Sequence, residues 1–306
     1  MESVKMTMKA ILIEVQEEYK QKIDELMAVF CSAIRYSFKR ILEGKRIGDI
    51  EKDAASKYSL NIRQAKDAVE NARQIIQSQK ELVKMNYDNY SAKVKAIEKQ
   101  LQNKKLSDRK RKALLSKLEK RKRKQQYFKN FIDTNTIPPV TFGTKELFIK
   151  RCKSLITKEQ WQTARSNRIY SRGDKTKSGN PNLRVILDEQ GNSFLEISTL
   201  EKTSTNRAVK IQVPIYLPRK LSYKTGKING IDYKRLFLEY LKSGRAYQVE
   251  LIRKNDKYYC HITFEYDKPK EVYTGHNKII GIDTNPDGFA LTMIDNNGNY
   301  KWHTYL

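Results

Sequence analysis

The chain has 306 residues, of which 61 are Lys or Arg and 35 are Asp or Glu, so its formal net charge is +26. A charge of this size exceeds what solubility requires and indicates a polyanionic partner. No apolar stretch approaches the roughly 18 residues that a membrane-spanning helix needs, and the start of the sequence lacks the apolar core of a signal peptide. Nucleic acid is therefore favoured over a membrane surface, and we expect a cytoplasmic protein associated with the nucleoid.

The cysteines and histidines do not suggest a metal site. Cys31, Cys152 and Cys260 lie far apart in the sequence, which excludes a disulfide framework and a Cys-x-x-Cys zinc half-site. The three histidines also lack the spacing of metal ligands. Zinc is therefore not supported in this chain.

Residues 1–48 predict a strand followed by a helix. Apolar residues alternate along residues 4–14, which is typical of a strand. Gly44 would end the helix that comes next. Four residues share one face of that helix: Ile23, Leu26, Met27 and Phe30.

Residues 49–135 predict a helical region. Its apolar residues Tyr90, Val94, Ile97 and Leu101 are spaced four, three and four apart, as on one face of an amphipathic helix. The sequence NKKLSD then interrupts the pattern, and Ser107 is a candidate N-cap for another helix. Together these signals predict an antiparallel helical hairpin.

The second arm of this hairpin is strongly basic. From Asn103 to Lys129 there are 13 Lys or Arg residues against two acidic ones. A solvated helix face is the alternative interpretation, but such faces usually intersperse Glu, and like charges at i,i+4 destabilise a helix unless a partner neutralises them. We predict that basic residues of this arm bind the phosphate backbone: Arg109, Lys110, Arg111, Lys112, Arg121, Lys122, Arg123 and Lys124.

Residues 136–272 predict a small β-barrel or sandwich with one inserted helix. Pro138 and Pro139 end the helical region, and the sequence that follows is β-like. One hairpin is predicted around residues 190–192 and another around residues 255–256. The inserted helix has the sequence YKRLFLEYLKSG.

A basic segment within this region is rich in Gly, Ser and Asn. Basic groups with an interleaved aromatic residue suit RNA or single strands, in which phosphates and exposed bases are both available. The alternative of a mobile surface loop stays open. The candidate nucleic-acid-binding residues are Arg165, Arg168, Tyr170, Arg172, Lys175, Lys177 and Arg184.

Residues 273–306 predict an antiparallel meander of three strands, NKIIGID, GFALTMID and NYKWHTYL, joined by turns at TNPDG and NNGN. Asp283 lies where the first strand ends. Mg²⁺ prefers such hard oxygen ligands, so Asp283 is a candidate metal ligand and catalytic residue. It could equally cap the turn, as we expect of Asp295, and Asp287 is interpreted as a turn former.

The order of these parts is strand, basic helical insertion, β-barrel and then GIDTNPDGFALTMIDNNGNY, and it resembles TnpB, the OrfB-type protein of insertion sequences that is related to type V CRISPR effectors. The most characteristic stretches are PPVTFGTKELFIKR, YSRGDKTKSGNPNLR and IIGIDTNPDGFALT. The resemblance implies an α+β protein with a wedge domain, a recognition lobe and the first strands of a RuvC nuclease domain of RNase H fold.

In function, the resemblance implies an RNA-guided DNA endonuclease whose partners are a transposon-end guide RNA and a double-stranded DNA target. Asp283 falls on the family's first catalytic carboxylate, and Mg²⁺ is expected in the complete site. The family also uses a later Glu, a later Asp and a four-Cys zinc element, which the 306 residues lack. We therefore expect a truncated or decayed form, because one carboxylate cannot hold two metal ions. A non-cleaving RNA-dependent DNA-binding regulator and a general RNA-binding protein are the alternatives, and the oligomeric state is not indicated.

Overall fold

The computed structural model describes residues 2–103, 106–177, 179–219, 221–222, 229–230, 232–268, 278–285 and 288–305. The helices in these ranges are α1 (Glu17–Leu42), α2 (Ile47–Lys57), α3 (Ile62–Leu101), α4 (Asp108–Asp133), α5 (Lys145–Cys152), α6 (Lys158–Ala164) and α7 (Tyr233–Lys242). The strands are β1 (Glu2–Leu12), β2 (Arg168–Ser171), β3 (Leu183–Leu187), β4 (Ser193–Lys202), β5 (Ala208–Tyr216), β6 (Leu221–Ser222), β7 (Asn229–Gly230), β8 (Gln248–Lys254), β9 (Lys257–Lys268), β10 (Lys278–Asn285), β11 (Gly288–Asp295) and β12 (Tyr300–Tyr305). The chain divides into two compact units, residues 5–265 and residues 1–4 with 266–306.

The larger unit is built on a curled antiparallel sheet that forms half of a barrel. In the described part of the chain this sheet has seven strands in the order β2-β8-β9-β1-β5-β4-β3. The first strand of the chain therefore lies in the middle of a sheet whose other strands come from residues 168–268. The predicted α+β class is confirmed, and the sheet is an open half-barrel with edges at β2 and β3.

Both predicted hairpins of this sheet are confirmed. β3 and β4 pair around a turn in which Gly191 has φ +80° and the Asp188 carboxylate accepts the backbone N–H of Asn192 at 2.7 Å. β8 and β9 are joined by Asn255 and Asp256, whose φ values of 50° and 57° are those of a type I′ turn. Asn and Asp tolerate this left-handed conformation, which explains why the sequence signal was clear.

Helix α1 supplies a large part of the core. All four residues of the predicted apolar face, Ile23, Leu26, Met27 and Phe30, are fully buried in a cluster that includes residues of the sheet and of α3. Gly44, just beyond the helix, has φ +78°, a conformation that other residues adopt only with strain. The helix and its end are therefore as predicted.

The prediction of β structure directly after Pro139 was wrong for residues 145–164, which form α5 and α6. Each helix begins at a threonine whose hydroxyl accepts a backbone N–H three residues later, at 3.2 Å in both Thr144 and Thr157. In α6 the side chain of Gln160 also accepts the N–H of Thr157 at 2.9 Å, which completes a capping box. A threonine at the N-cap position was therefore the local sequence signal for each of these two helices.

The three predicted strands of the smaller unit are present. β10 pairs antiparallel with β11, and β11 pairs antiparallel with β12. The turn predicted at Pro286 and Asp287 lies outside the described residues. Across the described strands, large apolar side chains are exposed, including Ile282 at 63% and Phe289 at 52%.

Asp295 has the turn-capping role predicted for it. Its carboxylate accepts the backbone N–H groups of Asn297 and Asn299 at 3.0 and 2.8 Å and lies 3.0 Å from Nζ of Lys301. The hydrogen bond from Lys301, followed by those from Asn299, lowers the pKa of Asp295 to about 2. The carboxylate form is thus favoured by the folded turn.

This lowered pKa predicts an acid-sensitive turn. Because the folded pKa lies below the ordinary Asp value of about 3.9, the stabilisation should be fully present above pH ~4 and lost as the pH falls to about 2. We expect the fluorescence of Trp302, followed in a Trp161→Phe background, to change over this interval. In Asp295→Asn the change should disappear, and an unaltered acid transition in that variant would contradict the assignment.

Candidate nucleic-acid interface

Helices α3 and α4 form the predicted antiparallel hairpin. Arg111, near the start of α4, donates to the carbonyl of Leu101 at the end of α3 at 3.4 Å. Further along α4, the ring of Phe128 stacks on that of Tyr90 with centroids 5.7 Å apart. Later residues of α4 therefore contact earlier residues of α3, as in an antiparallel pair. At about 1.5 Å per residue, α3 is about 60 Å long.

The two arms meet along a narrow seam. On α3 the buried residues Val83, Val94 and Ile97 follow a spacing close to 3.5 residues, as in a coiled coil. On α4 the described residues include none that is fully buried, and those that are half-buried recur every three or four positions: Arg111, Leu114, Leu118, Arg121, Gln125, Phe128 and Phe131. Helix α4 is thus attached by one side only.

The opposite side of α4 is a basic face exposed to solvent. At 100° per residue, Arg109, Lys112 and Lys120 project from the side opposite the seam. The exposed Lys124 lies at the edge of that side, with Nζ 5.6 Å from the centroid of the Tyr127 ring. We call these four cations the outward face. Within the described residues none of the four forms an ion pair. Their charge is therefore not neutralised inside the protein.

The other basic residues of the predicted set have structural partners or lie beside the seam. The guanidinium of Arg121 lies over the Tyr90 ring, 5.7 Å from its centroid. Nζ of Lys122 lies 2.7 Å from a carboxylate oxygen of Glu98 on α3. Arg123 pairs with Glu119, and Lys110 is exposed at the flank of the outward face.

Sequence reasoning missed Lys120, and it also left out the exposed Lys117. The prediction used runs of consecutive basic residues, such as Arg121 to Lys124, which alternate between seam and solvent on a helix. A helical projection around the apolar Leu114 and Leu118 would have placed Lys120 with Arg109 and Lys112 on the opposite side of the helix.

The described residues of the basic segment 165–184 include regular secondary structure. It includes β2, a 3₁₀ turn at Lys175–Lys177 and the first residues of β3. The fully buried Asn180 fixes it in place: its amide donates to the carbonyls of Ser171 and Tyr247 at 3.0 and 3.1 Å, and its oxygen accepts the N–H of Leu183 at 2.9 Å. The polar side chain of Asn180 thus forms hydrogen bonds with backbone groups of the protein.

The residues of this segment that were predicted to bind nucleic acid differ in exposure and in pairing. Lys175 and Lys177 are exposed on the 3₁₀ turn. Tyr170 and Arg184 are half-buried within β2 and β3. Arg168 lies 3.7 Å from Glu250 on β8.

Arg172 has a structural partner in Asp67 of α3. Its Nε donates to the carboxylate at 2.7 Å, and its backbone N–H donates to the other carboxylate oxygen at 3.2 Å. Asp67 is only 4% exposed, and this burial raises its pKa although Arg172 acts in the opposite direction. The ion pair therefore attaches the basic segment to α3, about 35 Å along the helix axis from Tyr90.

We expect Arg172→Gln to lower the free energy of unfolding by about 2 kcal/mol, because it leaves the buried Asp67 carboxylate without its cation. Asp67→Asn/Arg172→Gln should lose less, since no buried charge remains. Urea unfolding of the wild type, both single variants and the double variant measures this coupling. Additive losses would show that the two side chains do not stabilise each other.

Asp283 lies on β10 opposite Ala290 and is exposed. In the β10–β11 pair, Asp295 is opposite Lys278. Lys278 is five residues from Asp283, which is about 16 Å along the strand. The described residues include no group of three His, Cys, Asp or Glu side chains that could hold a metal ion. The role of Asp283 as a magnesium ligand therefore stays a prediction.

In the described part of the chain, no helix is both long enough and apolar enough to cross a membrane. A comparison with curated proteins finds no match for the chain. The family model described as SSO2105 N-terminal domain matches residues 5–278, which include the whole larger unit and the first residue of β10. Because this match covers most of the sequence, the chain belongs to the family of the SSO2105 N-terminal domain.

Proposed function

We propose that this chain is an RNA-guided DNA-binding protein of TnpB type that holds nucleic acid on the outward face of α4. One observation carries the binding: Arg109, Lys112, Lys120 and Lys124 share an exposed face and have no ion-pair partner among the described residues. Adjacent like charges destabilise the helix that carries them unless a polyanion neutralises them. Phosphates would remove that repulsion and release counterions to solvent.

The second exposed basic site supports a long nucleic acid over a small anion. Lys175 and Lys177 lie in the segment that Arg172 attaches to Asp67, while α4 packs on the distal half of α3. The anchors at Asp67 and Tyr90 are about 35 Å apart, which is the length of about ten base pairs of duplex. A single strand or a duplex could contact both sites.

The guide RNA and the double-stranded DNA target rest on the resemblance to TnpB. The α+β class and the basic helical hairpin agree with the parts that this resemblance implies, and its RuvC-type assignment of residues 273–306 stays a proposal. In that family Asp283 would be a magnesium ligand, but this role stays a prediction here, so we assign no catalytic step. The proposed activity is therefore binding, with Asp283 as a single candidate ligand.

The RNA that accompanies the protein tests this proposal. The 306-residue chain is expressed in cells that carry its native flanking DNA, purified, and its bound RNA is sequenced. We expect one dominant RNA from the flanking DNA and specific retention of DNA that is complementary to its free end.

Ribosomal RNA as the dominant species would contradict the guide-RNA proposal and favour the general RNA-binding alternative. The affinity of purified protein for single-stranded RNA should also fall steeply with salt, because each phosphate contact contributes about 0.7 to the slope of log K against log salt. A flat salt response would exclude a phosphate-binding role for the basic residues.

A further inference from the structure

A cavity of about 440 Å³ opens in the larger unit, formed by residues of α1, the segment 140–144 and strands β2 and β8. Its volume lies in the range of sites that bind small organic groups. Part of the lining is apolar and includes Ile34, Val140 and Phe142. None of the residues of the outward face contributes to it.

Charged side chains line the rest of the cavity. Three are arginines, Arg35, Arg165 and Arg168, and one is a carboxylate, Glu250. Arg168 lies 3.7 Å from Glu250. Among the described residues Arg35 and Arg165 have no carboxylate partner, so the cavity carries uncompensated positive charge.

Arg35 is held in place by hydrogen bonds to neutral groups. Its guanidinium donates to the carbonyl of Arg165 at 2.7 Å and to the hydroxyl of Ser32 at 2.8 Å. Burial, and then the neighbouring charge of Arg165, lower the pKa of Arg35. The protein therefore positions this cation without neutralising it.

Arg165 is constrained in a different way. Its guanidinium lies over the Trp161 ring, 5.5 Å from the centroid, and its buried Nε has no hydrogen-bond partner in the described part of the chain. Gly143 has φ +96°, and a Cβ at this position would lie 2.8 Å from Cγ of Arg165. The close approach of the 140–144 segment thus depends on glycine and restricts Arg165.

We propose that this cavity binds one unstacked nucleotide of a bound strand, with its base against the apolar wall at Phe142 and its phosphate on Arg35 and Arg165. Guanidinium groups match phosphate oxygens in charge and geometry. Proteins that read RNA commonly hold splayed bases against aromatic and apolar side chains. An unpaired buried donor such as Nε of Arg165 is rare in a folded protein and is explained by a ligand that it serves. This assignment rests on the proposed nucleic-acid binding and adds a second, pocketed contact to it.

The experiment measures fluorescence anisotropy of a labelled 20-nucleotide poly(U) RNA with the full chain. Arg165→Gln removes the proposed phosphate ligand, and Ala164→Phe fills the cavity while keeping every charge. We expect each to weaken binding about tenfold or more. Lys202→Gln, which removes one charge from an exposed strand end, should change the affinity less than about twofold.

Thermal unfolding without RNA separates this role from a structural one. Because Arg165 has no ion-pair partner in the described residues, Arg165→Gln should have a Tm equal to or above that of the wild type, whereas a purely structural arginine would lower it. Excess 5′-UMP should raise the Tm of the wild type but not of Arg165→Gln, and should weaken RNA binding about as much as the cavity variants do.

Unchanged RNA binding in both cavity variants would overturn this proposal. A rise in Tm with 5′-UMP and no change in the affinity for RNA would also overturn it, since the cavity would then serve a free nucleotide. In either case, loss of RNA binding on neutralising the outward face would still support the proposed function. If that neutralisation has no effect and the cavity variants lose RNA binding, the result would support the nucleotide site in the cavity and contradict RNA binding by α4.

Discussion

Neutralising the outward face of α4 is expected to reduce the affinity for single-stranded RNA about two hundredfold at 150 mM salt. The variant is Arg109→Gln/Lys112→Gln/Lys120→Gln/Lys124→Gln, which removes four exposed cations. On a single strand each lost phosphate contact lowers the salt slope by about 0.7, so the slope should fall by about 3. The loss of affinity is close to zero at about 1 M salt and grows as the salt concentration decreases. At 150 mM, this change in slope gives the expected factor.

The same variant should fold at least as well as the wild type. Glutamine is a good helix former, and removing neighbouring like charges relieves repulsion along α4. The seam is untouched, because Arg121 stays over Tyr90 and Lys122 stays paired with Glu98. Unchanged or higher Tm together with lost RNA binding would identify these cations as binding residues.

A matched control removes four charges elsewhere on the larger unit: Lys202→Gln/Arg207→Gln/Lys254→Gln/Lys257→Gln. These residues are exposed at or near the hairpin turns of the sheet and lie on no predicted interface. We expect the salt slope to stay within about one unit of the wild type. An equal loss of affinity in both variants would show that net charge alone governs binding and would contradict the assignment to α4.

Local patterns predicted the elements well where periodicity and turn chemistry agreed. Apolar spacing identified the buried face of α1, and the Asn255–Asp256 pair identified the β8–β9 turn. Both features depend on residues close together in the sequence. Ser107 was correctly placed as the N-cap position of α4, although its side chain makes no capping hydrogen bond.

Long-range pairing could not be predicted in the same way. Alternation showed that β1 is a strand but did not show that it lies between β9 and β5. A strand pattern specifies which side chains face the core, and its neighbours are chosen by packing across the whole sheet. The internal hydrogen bonds of Asn180 could not be predicted for a related reason, because this side chain bonds to a backbone group that is distant in sequence.

The sequence predicted which helix carries the candidate interface, but not which of its basic residues face solvent. The net charge of residues 103–129 pointed to α4, but charge counts treat Arg121 and Lys124 alike. In the structure Arg121 packs on Tyr90 and Lys124 faces solvent. The roles separate only once the seam fixes the rotation of the helix, which requires the partner arm.

Asn180→Ala is expected to lower the free energy of unfolding of the larger unit by about 3 to 5 kcal/mol. The buried amide connects β2, β3 and the start of β8, and its removal leaves the carbonyls of Ser171 and Tyr247 and the N–H of Leu183 without this partner. Each buried polar group that loses its hydrogen bond costs about 1 to 3 kcal/mol. Domains have total stabilities of about 5 to 15 kcal/mol, so the variant should be close to unfolding at room temperature.

Asn192→Ala provides the comparison, because it removes the same side chain from an exposed turn. There the amide donates to Asp188 at 2.8 Å, where water can replace it, and we expect a loss below about 1 kcal/mol. Urea unfolding followed by circular dichroism should show a large fall in midpoint for Asn180→Ala with an unchanged slope. Equal midpoints for the two variants would mean that the segment carrying Lys175 and Lys177 is held by contacts other than Asn180. The fixed position of this segment would then need another cause.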